Sequence, residues 1–232
     1  MQIYYDSDKA KILNEKLFAH FNSTAQNRTT VHLSDTVHCE MKCYNKLTGM
    51  KYAFDSGSAA RMLFGQVGQE LLQVLYSPEE AEYTVEGEIP LHIDIFEELK
   101  YPIEIKWSGQ KIYRASDIPE GWILQLMGYM ALTNSTVGWM VIVNVLIRQL
   151  TTFKLIMTVE ECGEQRQRIS ESRERILHAV KTGDSSKLII KEDECYWCDF
   201  KPKRSKEKCD ICTRFVAKVK DTGQDPLLAA SE

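Results

Sequence analysis

The sequence lacks the excess of basic residues that is typical of proteins that bind nucleic acids over their whole surface. Its 232 residues include 29 Lys and Arg against 33 Asp and Glu, which gives a net charge of −4 at pH 7. Net charge bears on non-specific association with polyanions and not on the fold. Any contact with a nucleic acid would therefore depend on local basic patches.

No signal peptide is expected either, because the first residues combine no basic region with a long apolar run. One later stretch, residues 122–147, contains no charged residue and is long enough to cross a bilayer. Asn134, Ser135 and Thr136 interrupt it, so a buried helix, a turn and a buried strand explain it better. We expect a cytoplasmic protein without a membrane partner.

No internal repeat is present, and the length fits one domain that buries roughly 70% of its unfolded surface without disulfides. Hydrophobic periodicity predicts an α/β fold. The predicted helices cover residues 7–21, 36–44, 58–76, 121–132 and 160–181. The predicted strands cover residues 83–88, 92–96, 102–107, 138–148 and 151–159, with a hairpin turn at 97–100. The third helix is expected to bury an apolar stripe of Met62, Leu63, Val67, Leu71, Leu72 and Leu75.

Polar residues on the predicted hairpin form the most informative feature of the chain. Asp94 lies on one of its strands, and Glu104 and Lys106 lie on the next. Period-two alternation places Glu104 and Lys106 on one face of the strand and the neighbouring isoleucines on the other. Hairpin pairing would bring Asp94 beside them.

Two converging carboxylates are typical ligands of a hard divalent cation such as Mg²⁺ or Mn²⁺. Such a cation lowers the pKa of a bound water and stabilises negative charge during phosphodiester hydrolysis. Lys106 would orient or deprotonate the attacking water and neutralise the transition state. The alternative is an acidic hairpin that carries an ordinary Glu and Lys on its solvated face.

Gln125 and Tyr129 lie at i and i+4 of the apolar helix and therefore share one of its faces. Polar groups that are buried on such a helix need hydrogen-bond partners. They are predicted to grip a phosphate together or to fix Lys106. The alternative is a core tyrosine with a boundary glutamine.

In this order, Asp94, the triplet from Glu104 to Lys106, and Gln125 with Tyr129 resemble the PD-(D/E)XK nucleases of the RecB type. That group includes a CRISPR-associated exonuclease and related phage and helicase-linked nucleases. The resemblance covers most of the chain, roughly residues 33–212. It implies a restriction-endonuclease-like core, with a central mixed sheet flanked by helices.

The resemblance also implies metal-dependent cleavage of DNA, as an exonuclease on single-stranded or frayed ends. Asp94, Glu104 and the backbone of Ile105 would bind Mg²⁺ or Mn²⁺. In the family, a helix with the pattern G-x3-H supplies a histidine as a further ligand. The matching stretch here has Gln69 in that place, which would bind only weakly through its carbonyl oxygen, with Glu70 as the alternative. This departure favours a second interpretation, a catalytically weakened DNA-binding or scaffold protein.

Seven cysteines in a protein expected to be intracellular favour metal or redox use over disulfides. Cys195 with Cys198 and Cys209 with Cys212 form two C-x2-C pairs, which taken alone fit a closed tetrahedral Zn²⁺ site. The resemblance implies a 4Fe–4S cluster instead, bound by Cys39, Cys195, Cys198 and either Cys209 or Cys212.

The resemblance and the cysteines together predict three parts of the chain. Residues 1–190 would form the nuclease domain, 191–216 a Cys-rich metal-binding segment and 217–232 a disordered tail. Cys162 has no companion in the sequence and is expected to be a buried small residue.

A basic run between the cysteine pairs predicts either salt-dependent contacts with DNA phosphates or a solvated loop. The run covers residues 201–208 and has five basic residues, of which Lys201, Lys203, Arg204 and Lys206 are the candidate contacts. The expected partner is DNA, single-stranded, in CRISPR adaptation, phage replication or repair. A CRISPR integrase or a helicase-type protein would be a further partner.

Overall fold

A computed structural model describes residues 12, 15, 16, 29–50, 56–85, 87–145 and 148–191. The Cys-rich segment, the predicted tail and nearly all of the first predicted helix lie outside them. The helices are α1 (Leu33–Val37), α2 (Glu40–Leu47), α3 (Ser56–Gln73), α4 (Glu120–Leu132) and α5 (Val159–Thr182). The strands are β1 (Ala81–Val85), β2 (Leu91–Glu97), β3 (Tyr101–Ser108), β4 (Val137–Asn144) and β5 (Gln149–Ile156).

The five strands form one mixed sheet in the order β1-β2-β3-β4-β5. β3 and β4 are parallel, and the other neighbours are antiparallel. α4 forms the crossover between β3 and β4, because a parallel pair cannot be joined by a hairpin. The predicted α/β fold with a central mixed sheet flanked by helices is confirmed.

Alternation along β3 gives the sheet two different faces. Ile103 and Ile105 pack with Leu72 and Tyr76, at the end of α3 and just beyond it. Glu104 and Lys106 project to the other face, which α4 covers.

α4 is the central helix of the second face. Its Tyr129 packs with Leu33 of α1, Ile93 of β2 and Ile169 of α5. This burial between sheet and helices explains the charge-free stretch of the sequence. Within the part of the chain that the structure describes, no helix has the length and apolar composition that a membrane crossing requires.

Several predicted boundaries are wrong, and Cys162 is placed as expected. The predicted helix at 36–44 is two helices, because His38 and Cys39 adopt extended backbone between α1 and α2. β4 ends at Asn144 rather than at 148. Cys162 is 3% exposed and belongs to the core beneath α4.

The predicted buried stripe of α3 is wrong. Leu63, Val67, Leu71 and Leu75 are 37%, 44%, 62% and 74% exposed, while Leu72 is partly buried. The side chain of Met62 lies outside the described ones.

Two contacts on the opposite side set the rotation of α3. Gly68 lies against the ring of Trp107, where an added Cβ would come within 1.7 Å of Cε2. Gln69 and Gln73 form hydrogen bonds with Asp94 of β2. Close packing and polar contacts therefore outweigh the apolar periodicity of the helix.

Gly68→Ala is expected to destabilise the protein by about 1–3 kcal/mol, because the ring of Trp107, a residue of β3, must move away from α3. Gly65→Ala is the matched control, since a Cβ there meets nothing within 4 Å. It should stabilise the helix by up to about 1 kcal/mol. Urea unfolding followed by circular dichroism measures both changes, and equal effects of the two substitutions would contradict the packing.

Candidate active site

Asp94 lies where β2 and β3 separate. The two strands pair from Glu97 with Tyr101 up to Ile95 with Ile103. The main-chain N–H of Ile105 then donates to Asp94 Oδ2 at 2.7 Å. A carboxylate therefore accepts a main-chain N–H at the point where the ladder between these strands ends.

Two glutamines of α3 hold Asp94 from the other side. Gln69 Nε2 donates to Asp94 Oδ1 at 2.8 Å, and Gln73 Nε2 donates to the main-chain oxygen of Asp94 at 2.8 Å. Both carboxylate oxygens of Asp94 thus accept a hydrogen bond, and each keeps lone pairs for a further partner. Gln69 acts here as a donor that orients Asp94.

Glu104 is the most buried acid of the site, with 1% exposure. It forms an ion pair with Lys106, its neighbour on the same face of β3. Its Oε2 is buried without a hydrogen-bond partner among the described residues. An unpaired carboxylate oxygen in the interior is costly, and such atoms in native structures mark strained, catalytic or ion-binding positions.

A chain of hydrogen bonds holds Lys106. Its Nζ donates to Gln125 Oε1 at 3.0 Å, and Gln125 Nε2 donates to Tyr129 Oη at 2.9 Å. The Tyr129 hydroxyl donates to the main-chain oxygen of His92 at 2.6 Å. Of the alternatives for Gln125 and Tyr129, the geometry supports fixing Lys106. The Trp122 ring centroid lies 6.0 Å from Nζ.

The buried charges perturb one another. Burial, and after it the charge of Glu104, raises the pKa of Asp94 well above its ordinary value. Burial lowers the pKa of Lys106, but the charges of Glu104 and Asp94 outweigh it, and the pKa is raised overall. Burial, followed by the same two charges, raises the pKa of Tyr129 well above its ordinary value. The charges of Glu104 and Asp94 therefore favour the cationic form of Lys106.

The donor atoms fit a hard divalent cation. Asp94 and Glu104 supply carboxylate oxygens, and Glu104 Oε2 is buried with no other partner in the described part of the chain. No group of three or more His, Cys, Asp and Glu residues is placed to hold a metal ion within the described ranges. A cation here would take its remaining ligands from water and main-chain oxygen, as Mg²⁺ commonly does.

Cys39 lies at a junction between distant parts of the chain. It is 5% exposed and packs with Cys43, Ile176 and Leu188. The other predicted cysteine ligands, Cys195, Cys198, Cys209 and Cys212, lie outside the described residues. So do the basic residues Lys201, Lys203, Arg204 and Lys206.

A buried ion pair next to Cys39 forms this junction. Glu40 is 2% exposed and accepts hydrogen bonds from Arg175 Nε at 3.2 Å and Nη2 at 2.7 Å. The Glu40 carboxylate also accepts the N–H of Ile189 at 2.9 Å. Lys191 Nζ donates to the main-chain oxygen of Val37 at 2.8 Å. The chain that leads into the Cys-rich segment is thereby held beside Cys39.

Gln73 is a site residue that was not predicted. Its spacing could have indicated it, because Gln69 and Gln73 lie at i and i+4, as Gln125 and Tyr129 do. The wrong assignment of the buried face of α3 hid it.

No protein-family model matches the sequence, and no curated protein matches it. Among solved structures, the fold is similar to the crystal structure of SSO0001, with a TM-score of 0.56 and 16% identity over 84% of this chain and 96% of that one. The chain is also similar to a phage-related exonuclease from Haemophilus somnus 129PT (TM-score 0.48, 13% identity, 67% of this chain and 96% of that one). An alkaline exonuclease from Laribacter hongkongensis is a third similar structure, with a TM-score of 0.43 and 14% identity over 70% of this chain and 94% of that one. The likeness to SSO0001 shows a shared fold.

Asp94→Asn is expected to stabilise the protein when divalent cations are absent. Because the pKa of Asp94 is raised on folding, the folded state binds more protons than the unfolded state. Stability therefore falls as pH rises from about 4, the ordinary carboxyl pKa, through the folded-state pKa. Asparagine can keep both side-chain hydrogen bonds if the Gln69 amide turns over.

Thermal unfolding in EDTA, measured from about pH 4 to pH 8, tests this linkage. The variant should unfold at a higher temperature at neutral pH and show a flatter pH dependence. Asp184→Asn is a control of opposite sign, because the main-chain N–H of Ser186 lowers the pKa of Asp184. A loss of stability in Asp94→Asn at neutral pH would contradict the expectation.

Proposed function

We propose that this protein is a Mg²⁺- or Mn²⁺-dependent deoxyribonuclease of the PD-(D/E)XK, RecB-like type. It acts as an exonuclease on single-stranded or frayed DNA ends. The observation that carries the proposal is the buried Oε2 of Glu104, which has no hydrogen-bond partner among the described residues and lies in one site with Asp94 and Lys106. Burial of two carboxylates together is destabilising, so the arrangement is better explained by chemistry than by folding.

Each residue of the site has a distinct part in this reaction. Asp94, Glu104 and the main-chain oxygen of Ile105 would hold the cation, which when bound neutralises charge and activates a water. Gln69 orients the carboxylate of Asp94. Lys106 stabilises the negative charge that develops on the scissile phosphate.

Gln125 and Tyr129 position Lys106 for that role. Without them the ammonium group would be held by its ion pair with Glu104 alone. The hydrogen bond to Gln125 Oε1 keeps Lys106 between β3 and α4. Preorganisation of this kind avoids rearrangement at the moment of reaction.

A nuclease-fold protein that binds DNA without cleaving it is the second candidate. Gln69 favours this candidate. It donates a hydrogen bond to Asp94, and it stands where the nuclease family that the sequence resembles has a metal-binding histidine. A protein of this kind would bind single-stranded DNA equally well with and without Mn²⁺.

Degradation of labelled single-stranded DNA in the presence of Mn²⁺ or Mg²⁺ tests the first candidate. Lys106→Ala is expected to lower the rate about 100- to 1000-fold, because a preorganised positive charge is lost. Lys100→Ala is the matched control, since Lys100 is exposed in the turn between β2 and β3, and it should leave the rate unchanged. Equal rates in wild type and Lys106→Ala would contradict the proposal. Binding without cleavage by the wild type would favour the second candidate.

We further propose that Cys39 and the C-terminal cysteines hold a 4Fe–4S cluster, with Zn²⁺ as the alternative. Cys195 follows Lys191 by four residues, a span of at most about 14 Å. Lys191 is bound to Val37, and Ile189 to Glu40, so the last described residues before the Cys-rich segment lie beside Cys39. The metal centre would connect the Cys-rich segment to the nuclease core.

DNA is the partner that the proposed nuclease function implies, together with an integrase or helicase-type protein.

Arg175→Met is expected to weaken metal retention, because it breaks the buried pair that holds Ile189 beside Cys39. Arg173→Met is the matched control, since Arg173 pairs at 3.7 Å with Glu88, which is 88% exposed. Metal content and the absorbance of an iron–sulfur chromophore, followed during exposure to a chelator, measure the effect. If both variants keep the metal as long as the wild type, the Glu40–Arg175 pair does not support the centre.

A further inference from the structure

The connection between β3 and α4, residues 109–119, is a fixed part of the structure at its start. Asn144 is fully buried, and its Nδ2 donates to the main-chain oxygen of Gln110 at 2.9 Å. Ser108 Oγ donates to the same oxygen at 3.0 Å and accepts the N–H of Gln110 at 2.9 Å. The loop therefore leaves β3 in one defined direction.

The second half of the loop is held by its own aspartate. Asp117 Oδ2 accepts the N–H of Tyr113 at 3.3 Å and the N–H of Arg114 at 3.0 Å. Its negative charge is thus engaged with the main chain of the loop. These bonds fix the backbone that carries Tyr113 and Arg114.

The loop is also anchored in the core beside Lys106. Ile112 is 1% exposed and belongs to the cluster that contains Leu126 and Met130 of α4. Trp122 packs against the same cluster, and its ring faces Lys106 Nζ. Trp122 therefore contacts both the cluster that anchors the loop and Lys106 of β3.

Three residues of this anchored loop project outward. Tyr113 is 53% exposed, although its neighbour Ile112 is buried. Lys111 and Arg114 on either side are exposed as well. An exposed aromatic ring between two cations gives a π-face and two phosphate-binding groups on one rigid support.

We infer that Lys111, Tyr113 and Arg114 form a binding surface for a single strand of DNA beside the active site. Tyr113 stacks on an unpaired base, and Lys111 and Arg114 contact the phosphates that flank it. Stacking on an aromatic ring with cations along the backbone tolerates any base sequence, as a nuclease without sequence preference requires. The inference rests on the proposed nuclease function and names the residues that hold its substrate.

The anchoring of the loop supports this assignment. A surface whose backbone is already fixed loses little conformational entropy on binding. The tyrosine ring has few rotatable bonds, so it offers a large contact area at low entropic cost. A base held at this position would keep the adjoining phosphates near Lys106.

Binding of a fluorescently labelled oligothymidylate in EDTA, measured by anisotropy, tests the inference without cleavage. Tyr113→Ala is expected to weaken binding about 5- to 100-fold, whereas Tyr113→Trp, which keeps a stacking face, should bind like the wild type. The double variant with Lys111→Gln and Arg114→Gln should lower the slope of log affinity against log salt by roughly 0.7 for each lost phosphate contact. Lys187→Gln, on the exposed surface after α5, is the matched control and should change neither quantity.

The outcomes separate this inference from the proposed function. If the wild type binds the oligonucleotide and Tyr113→Ala binds it equally tightly, the loop surface is overturned and the nuclease proposal stands. If the wild type shows no binding, the loop surface is overturned, and cleavage of labelled DNA with Mn²⁺ still decides the nuclease proposal. Loss of binding in Tyr113→Ala with recovery in Tyr113→Trp supports the inference, because a loop that had unfolded would not be rescued by tryptophan.

Discussion

The hydrogen bond from the N–H of Ile105 to the carboxylate of Asp94 is the constraint on which the candidate site depends. It joins β2 and β3 at the point where their main-chain pairing ends, and it holds the Asp94 carboxylate within the sheet. Glu104, the residue before Ile105, lies in the same buried site. Two carboxylates in one buried place repel each other and lose their hydration, which raises the pKa of Asp94. Lys106 can pair with only one of the two carboxylates when both are ionised, so the other can supply negative charge to a divalent cation.

The helices on the two faces of the sheet hold different residues of the site. α3 supplies amide donors to Asp94, and its rotation follows from these bonds and from the contact of Gly68 with Trp107. α4 supplies the polar groups that hold Lys106, while its other residues fill the core. Polar contacts at the sheet thus decide the orientation of α3, and an exposed apolar surface on that helix is the consequence. Natural sequences commonly depart from local patterns at functional sites, where other requirements outweigh them.

Much of the site could be predicted because strand alternation and helix spacing are local rules. Glu104 and Lys106 share a face of β3, and Gln125 and Tyr129 share a face of α4, as periodicity requires. The buried face of α3 could not be predicted in this way, since its leucines suggest burial of the wrong side. The interruption between α1 and α2 at His38 and Cys39 could not be predicted from helix periodicity either. The junction of Glu40 with Arg175 and Ile189 joins residues far apart in sequence, and no periodicity reveals such a contact.

Direct titration of Mn²⁺ into the folded protein, followed by calorimetry, tests whether Glu104 and Asp94 form a site for a divalent cation. The wild type is expected to bind the cation, and Glu104→Gln to bind it at least about tenfold more weakly, because an anionic oxygen ligand is lost from a buried site. Lys100→Ala should bind as the wild type does. Equal affinity of the wild type and Glu104→Gln for Mn²⁺, with both proteins folded, would contradict the assignment of this site to a divalent cation.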